Sequence, residues 1–355
     1  MCDEIIYSFL ESLLKQKNLD ECYYWISEYY YSGFMKKTGY LLWKIYYDFY
    51  AIKYPKLESI IHNEFIQWSH THNIVFILNI VANLFDCCPR CDVFLARESL
   101  HEGKSFRGRP PLWLKNFPDM YKNLLLCIHT CRYTQLMFYM KTIPSSELYQ
   151  LVRRYFAEVK KMSLRENTLK SICYPDKHHI ILAIILHLQL PIEAIVIESD
   201  PIQVPAGIVQ KIQRFNKDTI NPLYRTLLNK RLYTISDTIG CFPLLRFHLK
   251  CPPMQKLLGF HWKYFASFSP LWKKRFNDFH AKRNRKASIM IFENDDYLEN
   301  FGERYNYEPD EQSGEVQGKS ILEIKRIAPR EWVRDIFGID YERERLFEDY
   351  IKKKD

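Results

Sequence analysis

Apolar residues recur at helical spacing over most of the first 190 positions. Ile6, Phe9, Leu10, Leu13 and Leu14 form one stripe, and steps of three and four residues place side chains on a single helix face. The pattern predicts a helix over 3–14, whose acidic start at Asp3 and Glu4 suits the positive end of a helix dipole. It predicts further helices over 19–31, 38–51, 56–69 and 73–84, with Pro55 as the break before the fourth of the five. Helices return at 120–141, at 145–161 with Ser145 as N-cap and Glu147 in the first turn, and, after a shorter one, at 178–189, closed by Pro191. Short links between helices of this length predict a mostly α fold, a helical bundle or irregular α-solenoid, rather than the strand–helix alternation of an α/β enzyme.

Two stretches interrupt the rhythm. Residues 86–119 hold Gly103, Gly108, Pro110, Pro111 and Pro118, which oppose regular helix in their second half, while 91–100 leaves room for a short helix. A loop this long inside a compact domain is more often functional or mobile than incidental. Residues 191–260 are punctuated by Pro201, Pro205 and Pro222, and 194–197 fits a strand or a helical turn equally. Beyond them the pattern predicts a helix–loop–helix over 256–282 broken near Pro270, a short apolar run of open type at 288–292, and helices over 295–305, 329–337 and 341–353. The resulting organisation is a helical bundle or array over 1–190, a smaller helical domain over 191–286, and a tail with short helices over 287–355.

Charge redraws that picture more than composition does. The 355 residues carry a formal net charge of +9, but residues 293–355 hold 11 bases and 18 acids and residues 1–292 hold 40 and 24. A basic body therefore carries an acidic tail, a matter of partners and self-association rather than of chemistry. Aromatic residues reach 15%, with 25 Tyr and 23 Phe; aromatics that a monomer cannot bury tend to make interfaces. Only 11 glycines argue against a turn-rich sheet protein and a Gly-rich phosphate loop. The N-terminus, MCDEIIYSFLESLLKQ, lacks a signal-peptide pattern, and the apolar runs at 75–85 and 180–190 are too short to span a bilayer. Ten cysteines without a secretion signal read as free thiols in a reducing compartment.

Four constellations bear on chemistry. Cys88 and Cys91 form a CxxC, half of a structural zinc site, preceded by Cys87. A tetrahedral zinc needs a second half-site, and only Cys127 with Cys131, on one face of the predicted 120–141 helix, or His70 with His72 could supply it. Zinc is the one candidate cofactor. Core packing is the simpler reading of CIHTC at 127–131. Gly103-Lys104-Ser105 and Gly318-Lys319-Ser320 look like the end of a phosphate loop, but Glu98 and Ser313 stand where that loop needs glycine. His178, His179 and His187 form no triad or carboxylate pair: the first two sit at a helix start and the third in an apolar run. The fourth constellation is the basic aromatic segment 262–286. Lys273, Lys274, Arg275, Lys282, Arg283, Arg285 and Lys286 interleave there with Trp262, Tyr264, Phe265, Phe268, Trp272, Phe276 and Phe279. Phosphates want cations and unpaired bases want aromatic faces. Trp272, Phe276 and Phe279 also fall at helical spacing, which favours a buried stripe with a solvated basic face. An exposed Trp262 or Trp272 speaks for nucleic acid, a buried one against it.

Three segments resemble proteins of unassigned function from the nucleocytoplasmic large DNA viruses, the giant viruses of algae and amoebae: 28–58 (EYYYSGFMKKTGYLLWKIYYDFYAIKYPKLE), 269–279 (SPLWKKRFNDF) and 291–321 (IFENDDYLENFGERYNYEPDEQSGEVQGKSI). The resemblance implies a viral protein made in an infected cell, in the cytoplasm or the virion, and brings no catalytic residues with it. With no catalytic signature in the chain, the leading expectation is a non-enzymatic interaction or structural protein, such as a virion or assembly component, with a protein partner or self-association. The runner-up is a nucleic-acid-binding protein using 262–286, its acidic tail competing for the same cations. An enzyme would need titratable groups converging under the 86–119 loop, and none is evident there.

Overall fold

The computed structural model describes residues 2–98, 110–164, 174–190, 200–214, 238–239, 261–305, 325–326 and 329–338. The fold is mostly α, as the apolar spacing predicts. Helices α1 (Cys2–Leu14), α2 (Leu19–Tyr29), α3 (Met35–Phe49), α4 (Leu57–Thr71), α5 (Ile74–Phe85) and α6 (Asp92–Glu98) are followed by α7 (Lys122–His129), α8 (Leu136–Met140), α9 (Ser145–Glu158), α10 (Lys177–Gln189) and α11 (Ala206–Arg214). Helices α12 (Trp262–Ala266), α13 (Pro270–Asp278), α14 (Asp295–Tyr305) and α15 (Pro329–Phe337) complete the set. Strands β2 (Lys282–Asn284) and β3 (Ile289–Ile291) form an antiparallel hairpin, while β1 (Thr238–Ile239) and β4 (Lys325–Arg326) pair in parallel. Among the described residues no helix is long and apolar enough to cross a membrane.

The chain divides into two compact units that interleave along the sequence, one of Met1–Gly39, Gln67–Phe85 and Ile202–Phe337, the other of Tyr40–Ile66, Asp86–Pro201 and Gly338–Asp355. In the first unit α1 and α2 bury Phe9, Leu10, Leu13, Cys22, Trp25 and Ile26. Helix α5 is apolar apart from Asn79 and Asn83, and both amides hold the extended stretch before α11. Val204 N donates to Asn79 Oδ1 at 2.9 Å, and Ile202 N donates to Asn83 Oδ1 at 3.0 Å. Trp332 and Val333 of α15 are fully buried, and Asp335 reaches Lys15 of α1 at 3.2 Å. Between α2 and α3 the chain makes a wider helical turn at Tyr30–Phe34, with Gly33 at φ +94°. A Cβ at Gly33 would stand 2.7 Å from Pro270 Cβ, so glycine serves both the left-handed backbone and the close approach of α13.

In the second unit α3 is the aromatic spine. Trp43, Tyr46, Tyr47, Phe49 and Tyr50 are buried there, Trp43 stacking on Phe65 and Phe49 on Phe94. Among the described aromatics only Tyr40, Phe138 and Phe268 are markedly exposed, so the described aromatics are mostly core.

The predicted 120–141 helix is also corrected. It breaks after His129, where Cys131 takes φ +56° and its thiol faces Gln189 Oε1 at 3.6 Å, and it resumes as α8. Ser145 is the first residue of α9 rather than its cap. The short helix foreseen within 91–100 is α6. The segments 194–197 and 341–353 lie outside the described residues.

Candidate binding surface

The densest polar constellation lies inside the second unit. Asp48 of α3 accepts two bonds from the Arg97 guanidinium of α6, Nε to Oδ1 at 2.8 Å and Nη2 to Oδ2 at 2.9 Å. His179 of α10 brings Nε2 to 2.9 Å from Asp48 Oδ1, an ion-pair contact rather than a linear hydrogen bond. Its Nδ1 shares a 3.0 Å hydrogen bond with Tyr174, and Asp176 caps α10 by accepting from His179 N at 3.0 Å. Burial alone raises a carboxyl's pKa, yet Arg97 and then His179 hold Asp48 far below the usual carboxylate range. Lys44, one turn before Asp48, is brought down to about 8 by burial and by Arg97.

A Tyr–His–Asp chain has the order of an acid–base relay. Here the side chains of Asp48 and His179 have no exposed surface at all, so no substrate reaches them. The network ties α3, α6 and α10 together. It is structural, and it absorbs His179, which sequence reasoning treated as an ordinary helix-start residue. His178 bonds the Ile143 carbonyl and His187 the Ile52 carbonyl, both at 2.8 Å, as the core-histidine reading of His187 implies.

The described cysteines do not converge on a common point. Cys88 is exposed and Cys91 buried, and their turn is pinned by one backbone bond, Arg90 N to Phe49 O at 2.7 Å, and by Cys88 N donating to the Tyr54 hydroxyl at 3.1 Å. Cys127 and Cys131 do not share a helix face, because α7 ends between them. Burial pushes the Cys127 and Cys87 thiols up to about 12, away from the thiolate that binds metal. Among the described residues no three His, Cys, Asp or Glu side chains stand together as a metal site. Both GKS triplets lie outside the described residues.

A second unusual group is Glu28 in the first unit. It is 1% exposed, and neither carboxylate oxygen has a hydrogen-bond partner among the described residues. Burial pushes it up to about 8, the pull of nearby positive charge such as Arg275 offsetting only part. The folded state therefore holds a proton that the unfolded chain releases above its ordinary carboxyl pKa, so stability is full in acid and lost as pH rises through 8. Between pH 6 and pH 8 the loss amounts to about 2 kcal/mol, at 1.4 kcal/mol per unit. Glu28→Gln is expected to flatten that slope, read as urea midpoints at the two pH values. An unchanged slope would show that Glu28 is not its source.

The basic aromatic segment folds as one piece with part of the acidic stretch. Ser269 caps α13, its Oγ accepting from Trp272 N at 3.3 Å, and Pro270 takes the first helical position, where its missing N–H costs nothing. Trp272 and Phe276 turn inward and meet Phe301 and Tyr305 of α14, with Ala281 completing the cluster. Phe276 and Phe301 stack at 4.8 Å. This core joins residues on both sides of position 286, where the sequence pattern places a domain boundary.

After α13, His280 at φ +54° turns the chain into β2. Asn284 Oδ1 then accepts from Lys286 N and Ala287 N at 3.0 and 3.2 Å, closing the turn to β3. Arg283 and Met290 are cross-strand partners on the core-facing side, since Met290 packs on the aromatic cluster. Lys282, Asn284, Ile289 and Ile291 share the other face, where Ile289 and Ile291 are 38% and 49% exposed.

The predicted cations separate accordingly. Arg275 packs between Trp272 and Tyr305, its guanidinium 4.9 and 4.8 Å from the two rings. Arg283 lies over Phe268 at 4.9 Å. Lys273, Lys274, Lys282, Arg283, Arg285 and Lys286 are exposed. Trp272, a candidate stacking residue, is 5% exposed and is corrected to a core residue; its helical register with Phe276 explains why. The side chain of Trp262 lies outside the described residues. The hairpin itself escaped sequence reasoning, although Asn284 before a β-prone apolar run was its signal.

No protein-family model matches the chain, and no curated protein or solved structure matches it either.

Proposed function

We propose that this chain is a non-enzymatic binding protein, a structural or assembly component of a large DNA virus, and that its binding element is the module 262–305, which presents a cationic hairpin to an anionic partner. One observation carries the reading. Lys273, Lys274, Lys282, Arg285 and Lys286 are all exposed and form no ion pair among the described residues, on a scaffold held by the aromatic core of Trp272, Phe276, Phe301 and Tyr305. The polar constellation that could suggest catalysis, around Asp48, is buried and internally paired. The viral setting is supported by the resemblance of 28–58, 269–279 and 291–321 alone.

The acidic residues of α14 belong to the same folded module through Phe301 and Tyr305, so removing 293–355 would remove core as well as charge. Point variants are the cleaner instrument. Retention of the full-length protein on immobilised heparin, over a sodium chloride gradient, is expected to collapse in the Lys282→Ala/Arg285→Ala/Lys286→Ala variant at unchanged melting temperature. With fewer cations at the surface, fewer counterions leave the polyanion on binding, and the salt dependence falls with them. Failure of the wild type to bind heparin at low salt, or equal retention of the variant, would overturn the reading.

A further inference from the structure

We infer that the anionic partner is single-stranded nucleic acid, its phosphates held by Lys282, Arg285 and Lys286 and a base stacked at the Phe268–Arg283 pair, which takes the stacking role that the buried Trp272 does not fill; this rests on the hairpin being the binding element. The unexplained residue in the module is Phe268. It is 55% exposed, while Tyr264, Trp272, Phe276, Phe301 and Tyr305 of the same module are buried.

The turn that carries it is tied by hydrogen bonds. In the turn between α12 and α13, Ser267 Oγ donates to Tyr264 O at 2.6 Å and Ser269 N donates to Ala266 O at 2.9 Å. Ser269 Oγ anchors the same turn to Ser32 O at 3.2 Å, and the Tyr264 ring meets Phe268 edge-on at 5.3 Å. An exposed ring with a guanidinium laid over it has the make-up of a stacking platform, since bases stack on both aromatic faces and arginine planes.

Charge alone would serve poorly. Residues 262–305 carry nine bases and six acids, and Asp295, Asp296, Glu299 and Glu303 are exposed on α14, so a net excess of three cations leaves a polyanion without bases weakly held. Stacking supplies what the phosphates do not. It is available only from unpaired bases, because duplex bases are already stacked on one another. Strands of three residues span only about 10 Å at 3.3 Å per residue, a short ribbon with which to read a duplex groove.

Fluorescence anisotropy of the full-length protein tests this with four probes at one salt concentration: a 20-nucleotide oligo-dT, an abasic oligonucleotide of equal length, a duplex of equal length, and heparin as competitor. Oligo-dT is expected to bind at least about tenfold tighter than the abasic strand, within the range of one stacked base, and tighter than the duplex. Phe268→Ala should lower oligo-dT affinity to that of the abasic strand without changing the melting temperature, and Phe268→Tyr should restore it. Equal affinity for oligo-dT and the abasic strand, tighter duplex binding, or indifference to Phe268→Ala would overturn the inference while leaving a polyanion-binding hairpin intact. No binding to any of the four would overturn both.

Discussion

Replacing Asp48 by asparagine is expected to destabilise the second unit by about 3–5 kcal/mol, the cost of breaking a buried ion pair from one side. The substitution changes shape little and removes one charge, so its effect isolates the electrostatics. Arg97, whose side chain is 12% exposed, would lose its bidentate carboxylate, and His179 would lose the anion at 2.9 Å. Urea denaturation followed by tyrosine fluorescence and far-ultraviolet circular dichroism reads the loss. The Asp48→Asn/Arg97→Met pair should recover part of it, because the second change removes the orphaned cation. A loss below about 1 kcal/mol for Asp48→Asn would place the network among exposed ion pairs in energetic terms and refute its role as the tie between α3, α6 and α10.

The same network fixes an acid limit. Asp48 titrates well below its unfolded value because Arg97 and His179 stabilise the anion. The stability it confers is therefore present above the unfolded carboxyl value, near pH 4, and is lost as pH falls below that toward the folded value. Glu28 acts in the opposite sense, so the two buried acids bracket the pH range of maximal stability from either side.

The helical framework was legible because amphipathic spacing is local. The stripe predicts α1, in which Phe9, Leu10, Leu13 and Leu14 are buried and Ile6 half-buried, and the pattern over 295–305 predicts α14. Helical spacing likewise marks Trp272 and Phe276 as core. The failures are non-local. Nothing near Cys131 announces a break, since its left-handed turn goes with a contact to Gln189, 58 residues away. The Asp48 network joins positions 49 and 131 apart in sequence, and neither His179 nor Arg97 has neighbours that mark it. The hairpin was hidden for another reason. Strand β2 is Lys-Arg-Asn, a polar sequence that pairs because β3 and the aromatic core beneath offer it a place, and propensity is a weak guide where packing decides. What sequence did show of the binding surface was its charge; which cations are exposed, and which aromatic is, required the fold.

Phe301→Ala is expected to undo the binding module. The ring is fully buried, stacks on Phe276 at 4.8 Å, and meets Phe279, Phe292 and Tyr305 edge-on at 5.6, 5.3 and 5.0 Å. Truncating a buried phenylalanine costs about 3–5 kcal/mol through lost transfer energy and the cavity left behind. In a cluster built on five buried residues little else can close that cavity. Helix α14 should detach, Trp272 should become wet, and the Arg275 guanidinium should lose its seat between Trp272 and Tyr305. A red shift in tryptophan emission and a lower-temperature transition should appear together, and heparin retention should fall although no cation has been removed. Phe301→Leu, which keeps most of the volume, should retain both the fold and the retention. If Phe301→Ala kept full heparin binding while the emission shifted, the cations would act without the aromatic core, and the scaffold would not be what presents the hairpin.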